Sequence, residues 1–95
     1  MFGMAKLYES VKTDNGKMFP LVSSGIKLVK SGVELSIDLK QCKFTVDDIR
    51  ESIKATTKFQ ICSRSEDVVD EYNSYEFVKL RDDGYKVWTI VLKLI

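Results

Sequence analysis

Val33-Glu34-Leu35-Ser36-Ile37-Asp38-Leu39 alternates without a break, with Val33, Leu35, Ile37 and Leu39 on one side and Glu34, Ser36 and Asp38 on the other. A period of two belongs to a strand with one apolar and one wet face. Five residues later the period changes. Phe44-Thr45-Val46-Asp47-Asp48-Ile49 opens a helix, with Thr45 at the N-cap and Asp48 three residues on, an acidic form of the capping box. Phe44 and Ile49 are placed as a hydrophobic staple, and Val46, Ile49 and Ile53 continue at helical spacing. Asp47 and Asp48 suit the positive end of the helix dipole, and Lys54 and Lys58 the negative end. The helix is expected over about Val46–Thr56.

Outward from this pair the chain reads as strands. Ile26-Lys-Leu-Val29 before Ser31-Gly32 makes a hairpin with Val33–Leu39. After the helix, Lys58–Cys62 is a short strand. Phe77–Leu80 and Tyr85–Ile95 flank Asp82-Asp83-Gly84, where Asp-Gly tolerates the positive φ of a type I′ turn. The stretch 4–22 admits two readings. Met4, Leu7, Tyr8 and Val11 fit a short helix, whereas Asn15-Gly16 followed by Lys17–Val22 fits a hairpin, in which Pro20 would hold its strand to a sheet edge. The expectation is one domain over residues 1–95. Its fold class is α+β, a mostly antiparallel sheet of about 5–7 strands with one helix packed on it, in a hairpin–α–β–β-hairpin body over about 25–95.

The last strand breaks the simple pattern. Trp88, Ile90, Leu92 and Leu94 make one face, while Tyr85, Val87, Val91 and Ile95 lie on the other. A strand apolar on both faces is normally covered twice. One helix about 10 Å across covers about half of one face of a sheet roughly 19–24 Å wide. The rest needs cover from the N-terminal segment, from closure into a small barrel, or from another chain, a homodimer included.

Composition narrows the function without choosing it. The 95 residues carry 15 Lys and Arg against 14 Asp and Glu, a net charge of +1, so no global field selects a partner. From Arg64 to Glu76 there are five acids (Glu66, Asp67, Asp70, Glu71, Glu76) and one base, a local −4 that leaves +5 elsewhere. Two isolated cysteines, Cys42 and Cys62, give no disulfide framework or CxxC. With no apolar leader and no run near ~20 apolar residues, the chain reads as cytoplasmic and not membrane-bound. There is no histidine, so the Ser-His-Asp and Cys-His arrangements cannot be built. The five isolated glycines spell no phosphate loop. No catalytic, cofactor-binding or metal residues are assigned, and no cofactor is expected. The chain is read as non-enzymatic.

Two surfaces offer recognition chemistry. Lys79, Arg81, Lys86 and Lys93 interleave with Phe77, Tyr85 and Trp88 on one hairpin, the pattern of sheets that stack single-stranded nucleic acid. Asp70-Glu71-Tyr72-Asn73-Ser74-Tyr75-Glu76 is better suited to a protein partner. Tyrosine offers a large amphipathic contact at low entropic cost, and Asn and Ser add adaptable hydrogen bonds. The partner-binding set is therefore Asp70, Glu71, Tyr72, Asn73, Tyr75 and Glu76. Against it stands packing of the tyrosines onto the sheet beneath.

The layout of hairpin, short capped helix, strand, Tyr72-x-x-Tyr75 and Asp-Gly hairpin resembles small accessory proteins of phages and mobile elements of Gram-positive bacteria. The resemblance covers about Gly25–Ile95 and carries over no site residues. It implies a module that binds, and often inhibits, a host protein, including defence proteins. The leading expectation is such a protein-interaction module, with a host or phage partner. Nucleic-acid binding and a small-ligand-binding or sequestering oligomer are the alternatives.

Overall fold

The computed structural model describes residues 9–95. In chain order these form β1 (Ser10–Thr13), β2 (Met18–Val29), β3 (Gly32–Asp38), a 3-10 turn (Leu39–Gln41), α1 (Val46–Ala55), β4 (Phe59–Cys62), β5 (Val68–Tyr72), β6 (Tyr75–Asp82) and β7 (Val87–Leu94). This is an α+β fold with one helix on a seven-stranded antiparallel sheet. Residues 10–20 form a hairpin turning at Gly16, whose φ is +85°. Met4, Leu7 and Tyr8 lie outside the described residues. The helix starts as its sequence dictates: the Asp48 N–H donates to Thr45 Oγ1 at 3.1 Å, and the Thr45 N–H donates to Asp48 Oδ2 at 3.0 Å.

The strand order is β5-β4-β1-β2-β3-β7-β6, antiparallel at every step. Six reversals separate β5 from β6, so these two run in the same direction, although only Asn73 and Ser74 lie between them. In a flat sheet they would stand about 29 Å apart. Three peptide steps span at most about 11 Å. The sheet must therefore roll until its two ends meet. They do: the Tyr75 ring on β6 lies 5.1 Å from the Phe59 ring on β4, and the Tyr75 hydroxyl donates to the Thr56 carbonyl at 3.4 Å. In effect β5–β6 is one interrupted strand that pairs with β4 in its first part and with β7 in its second.

β2 makes the opposite corner. Met18–Pro20 pair with β1 and Ile26–Val29 with β3, with a register break between Leu21 and Ile26. Ser24 there has φ +56°, and the Gly25 backbone passes so close to β3 that a Cβ would stand 2.9 Å from the Ser36 carbonyl oxygen. Strands that switch sheets through a bend are how two sheets join at a corner.

Rolling the sheet creates the core. Val11, Phe19, Val33, Leu35, Ile37, Phe59, Ile61, Ile90 and Leu92 are fully or almost fully buried in one cluster, and α1 adds Ile49 and Ile53. Burying each such side chain stabilises by about 1.5–3 kcal/mol. The inner face of the last strand, Ile90 and Leu92, is thus covered by the rolled sheet, while Leu94 and Ile95 at its end stay exposed. Asp14, in the β1–β2 turn, ties that hairpin to the end of α1 by accepting from the Thr57 N–H (3.0 Å) and the Thr56 hydroxyl (2.8 Å).

Three local expectations need correction. β2 is an interior strand, not an edge; Pro20 is tolerated because only β1 is registered beside it, the β3 pairing starting at Leu21. The β2–β3 turn is Lys30-Ser31, with Gly32 already paired to Val29 and Lys93. Tyr85 and Lys86 are not strand residues, since β7 begins at Val87.

Candidate functional site

The acidic tyrosine stretch spans the β5–β6 junction. Asp70, Glu71, Asn73 and Glu76 are exposed, but Tyr72 and Tyr75 are half-buried and pack on the core. The acids also have partners at hand. Glu71 accepts from Gln60 Nε2 at 3.1 Å and faces Lys58 at 3.6 Å, while Asp70 accepts from the Glu71 N–H at 2.8 Å and from the Tyr72 hydroxyl at 3.3 Å. The six residues are brought together, with both tyrosine rings committed to closing the sheet. The basic–aromatic set lies on the β6–β7 hairpin, with several of its members engaged elsewhere. Phe77 packs on the core, Trp88 is half-buried, and Arg81 is engaged by two carboxylates.

A different aromatic is displayed. At the tip of the β6–β7 hairpin the Val87 N–H donates to the Gly84 carbonyl at 2.9 Å, closing a turn whose two central residues are Tyr85 and Lys86. Their φ values are +53° and +59°, and Gly84 before them is at +80°. Positive φ at both central positions is the type I′ pattern, where Asn-Gly is the favoured pair. A side chain there costs of order 1 kcal/mol or more per residue, because Cβ crowds the following carbonyl. The Tyr85 side chain nevertheless stands almost free in solvent, with the residue 91% exposed.

The strain is held by bracing. The Asp83 N–H donates to the Val87 carbonyl at 2.9 Å, the Gly84 N–H to Asp82 Oδ1 at 2.9 Å, and the Leu39 N–H to the Lys86 carbonyl at 2.9 Å. Behind the turn, on the outer face of β3, β7 and β6, lies a polar network. Arg81 donates through Nε to Asp83 Oδ1 at 2.7 Å and through a terminal nitrogen to Glu34 Oε1 at 3.0 Å. The Thr89 hydroxyl donates to Asp83 and lies 2.8 Å from the Ser36 hydroxyl. Thr89 is fully buried beneath this network, which explains why the second face of β7 is not simply wet.

Arg81 holds both carboxyls below their ordinary range: its hydrogen bonds are the main cause at Glu34 and at Asp83, with Thr89 adding to the effect at Asp83. Groups whose folded pKa is depressed stabilise the fold at neutral pH and lose that contribution as acid protonates the folded state. Stability is therefore expected to fall as pH drops below the ordinary values of 4.5 and 3.8. Arg81→Met should flatten this acid limb of the curve while lowering the plateau. Urea unfolding at a series of pH values checks it, and parallel curves for the two proteins would contradict it.

Among the described residues no three His, Cys, Asp or Glu side chains stand where they could hold a metal ion. Cys42 and Cys62 are free thiols whose pKa burial pushes up, which leaves them poor nucleophiles. No described helix is long and apolar enough to cross a membrane. The chain matches no family model, no curated protein and no solved structure. Tyr85 was hidden in the sequence by its neighbour, because Asp83-Gly84 looks like the centre of the turn. The alternation gave no signal against this, because Tyr85 stands in phase with Val87 and Val91.

Proposed function

We propose that this chain is a non-enzymatic protein-interaction module that docks on a folded partner through the tip of its last hairpin, with Tyr85 as the anchor. The observation that carries this reading is the conformation of Tyr85: left-handed backbone, 91% exposure and hydrogen bonds on every side of its turn. A solvated tyrosine on strained backbone costs the free protein stability and gives it nothing in return. Bound in a pocket, the same side chain would be a rigid, pre-ordered contact of the type that dominates interfaces. A convex tip fits a concave partner surface. The exposed acids Asp70, Glu71 and Glu76, with Asn73, supply polar surface elsewhere on the domain. Occupation of a host protein's cleft is the form of this reading that the layout resemblance suggests.

Tyr85→Asn with Lys86→Gly separates stability from function. Asn-Gly suits the turn, so relief of about 1 kcal/mol should raise the melting temperature by about 4–8 °C. Capture of the partner from host lysate should be lost in the same variant. A photo-crosslinking residue at position 85 should join that partner, and one at position 72 should not. A stabilised variant that still captures the partner in full would remove the tip from the interface.

A further inference from the structure

We propose that the cleft between the first hairpin and the segment 41–44 binds a small aromatic anion, a function separate from the hairpin tip. The cleft has a volume of about 370 Å³, at the small end of ligand sites and suited to one ring with a charged substituent. Its apolar walls are Met18, Pro20 and Phe44, and its polar groups come from Ser10, Gln41 and Lys43. Phe44 is fixed in place, edge-on to the buried Phe19 at 5.6 Å, and Thr45 beside it is locked by the capping box. The wall is therefore built into the core and not laid over it.

Charge defines the ligand. Lys43 lines the cleft, Lys17 lies 5.3 Å from the centre of the Phe44 ring, and Lys12 is registered opposite Met18 on the same face of the hairpin. None of these three takes part in an ion pair among the described residues. Asp48, which feels the charge of Lys17, is already bound to the Thr45 N–H at 3.0 Å. Ammonium groups that form no ion pair around an apolar floor favour a ligand with a flat apolar body and an anionic end. The Ser10 hydroxyl and the Gln41 amide add hydrogen-bonding groups to orient it.

Phenyl phosphate is the probe, followed by amide shifts in NMR spectra of the full chain. Saturable shifts are expected at Gly16, Met18, Gln41, Lys43 and Phe44. Lys17→Gln with Lys43→Gln, the first half-buried and the second exposed, should weaken binding about tenfold or more, as loss of charge-assisted contacts does. Inorganic phosphate, lacking the ring, and benzyl alcohol, lacking the charge, should each bind about tenfold more weakly. The absence of saturable shifts overturns the proposal. So does inorganic phosphate giving the same shifts at the same midpoint, or the double lysine variant binding unchanged. The Tyr85→Asn, Lys86→Gly variant should bind the probe normally, so failure at one site is distinguishable from failure at the other.

Discussion

Gly32→Ala is expected to destabilise the fold by about 3 kcal/mol or more, enough to leave much of the protein unfolded if its stability lies at the low end of the usual range. A Cβ on Gly32 would stand 1.9 Å from the Leu92 carbonyl oxygen and 3.0 Å from the Lys93 Cα. Those are backbone atoms of the paired strand, so no side chain can rotate to make room. Relief requires β3 and β7 to separate where Gly32 pairs with Lys93 and Val33 with Leu92, beside the buried core. Gly16→Ala is the control of opposite kind. Nothing lies within 4 Å of its added methyl, and only the positive φ resists it. Urea midpoints should therefore fall much further for Gly32→Ala, and equal midpoints would show that the two strands are not packed this closely.

Phe59→Ala should cost about 3–5 kcal/mol, the range for emptying a buried aromatic site. Phe59 is fully buried, pairs with Thr13 and Tyr72, and meets the Tyr75 ring. It thus joins β1, β5 and β6 at the point where the sheet returns on itself. Tyr75→Leu keeps apolar bulk while removing the ring and its hydrogen bond to Thr56. Combining the two variants should give a coupling of roughly 0.5–1.5 kcal/mol, as expected for an aromatic pair. Strict additivity would mean that the two ends of the sheet do not lean on each other there.

Much of this architecture was legible because local chemistry and fold agree. The Thr45–Asp48 box, the helix expected over about Val46–Thr56 and the strand expected over Val33–Leu39 each point to one answer. The structure has the box, the helix over Val46–Ala55 and the strand over Gly32–Asp38, with Leu39 opening the 3-10 turn. What escaped was the relation between distant elements. Strand count and helix size showed that the sheet had more apolar surface than α1 covers, yet nothing local said that β5 and β6 continue one another across Asn73-Ser74. That link is a topological fact, visible only once β3 is known to pair with β7. Tyr72 and Tyr75 looked like recognition residues for the same reason, since their packing partners Phe59 and Thr56 are more than a dozen residues away. The turn at 84–87 was misplaced by two residues because the expected Asp-Gly centre is displaced by the bracing of Asp83 against Arg81 and Thr89.

The pairing of β3 with β7 also governs how the chain reaches its native state. The residues paired between Gly32–Asp38 and Val87–Leu94 lie 49 (Asp38 with Val87) to 61 (Gly32 with Lys93) positions apart in the chain, so a large loop must close before this ladder can form, and its entropy is lost before those contacts return anything. Folding in milliseconds to seconds is expected, at the slow end for a chain this short. Until the last hairpin arrives, one side of the β3 ladder stays open. During that interval the growing polypeptide offers a sticky edge to its neighbours, and crowded synthesis at high expression is where self-association should first be seen.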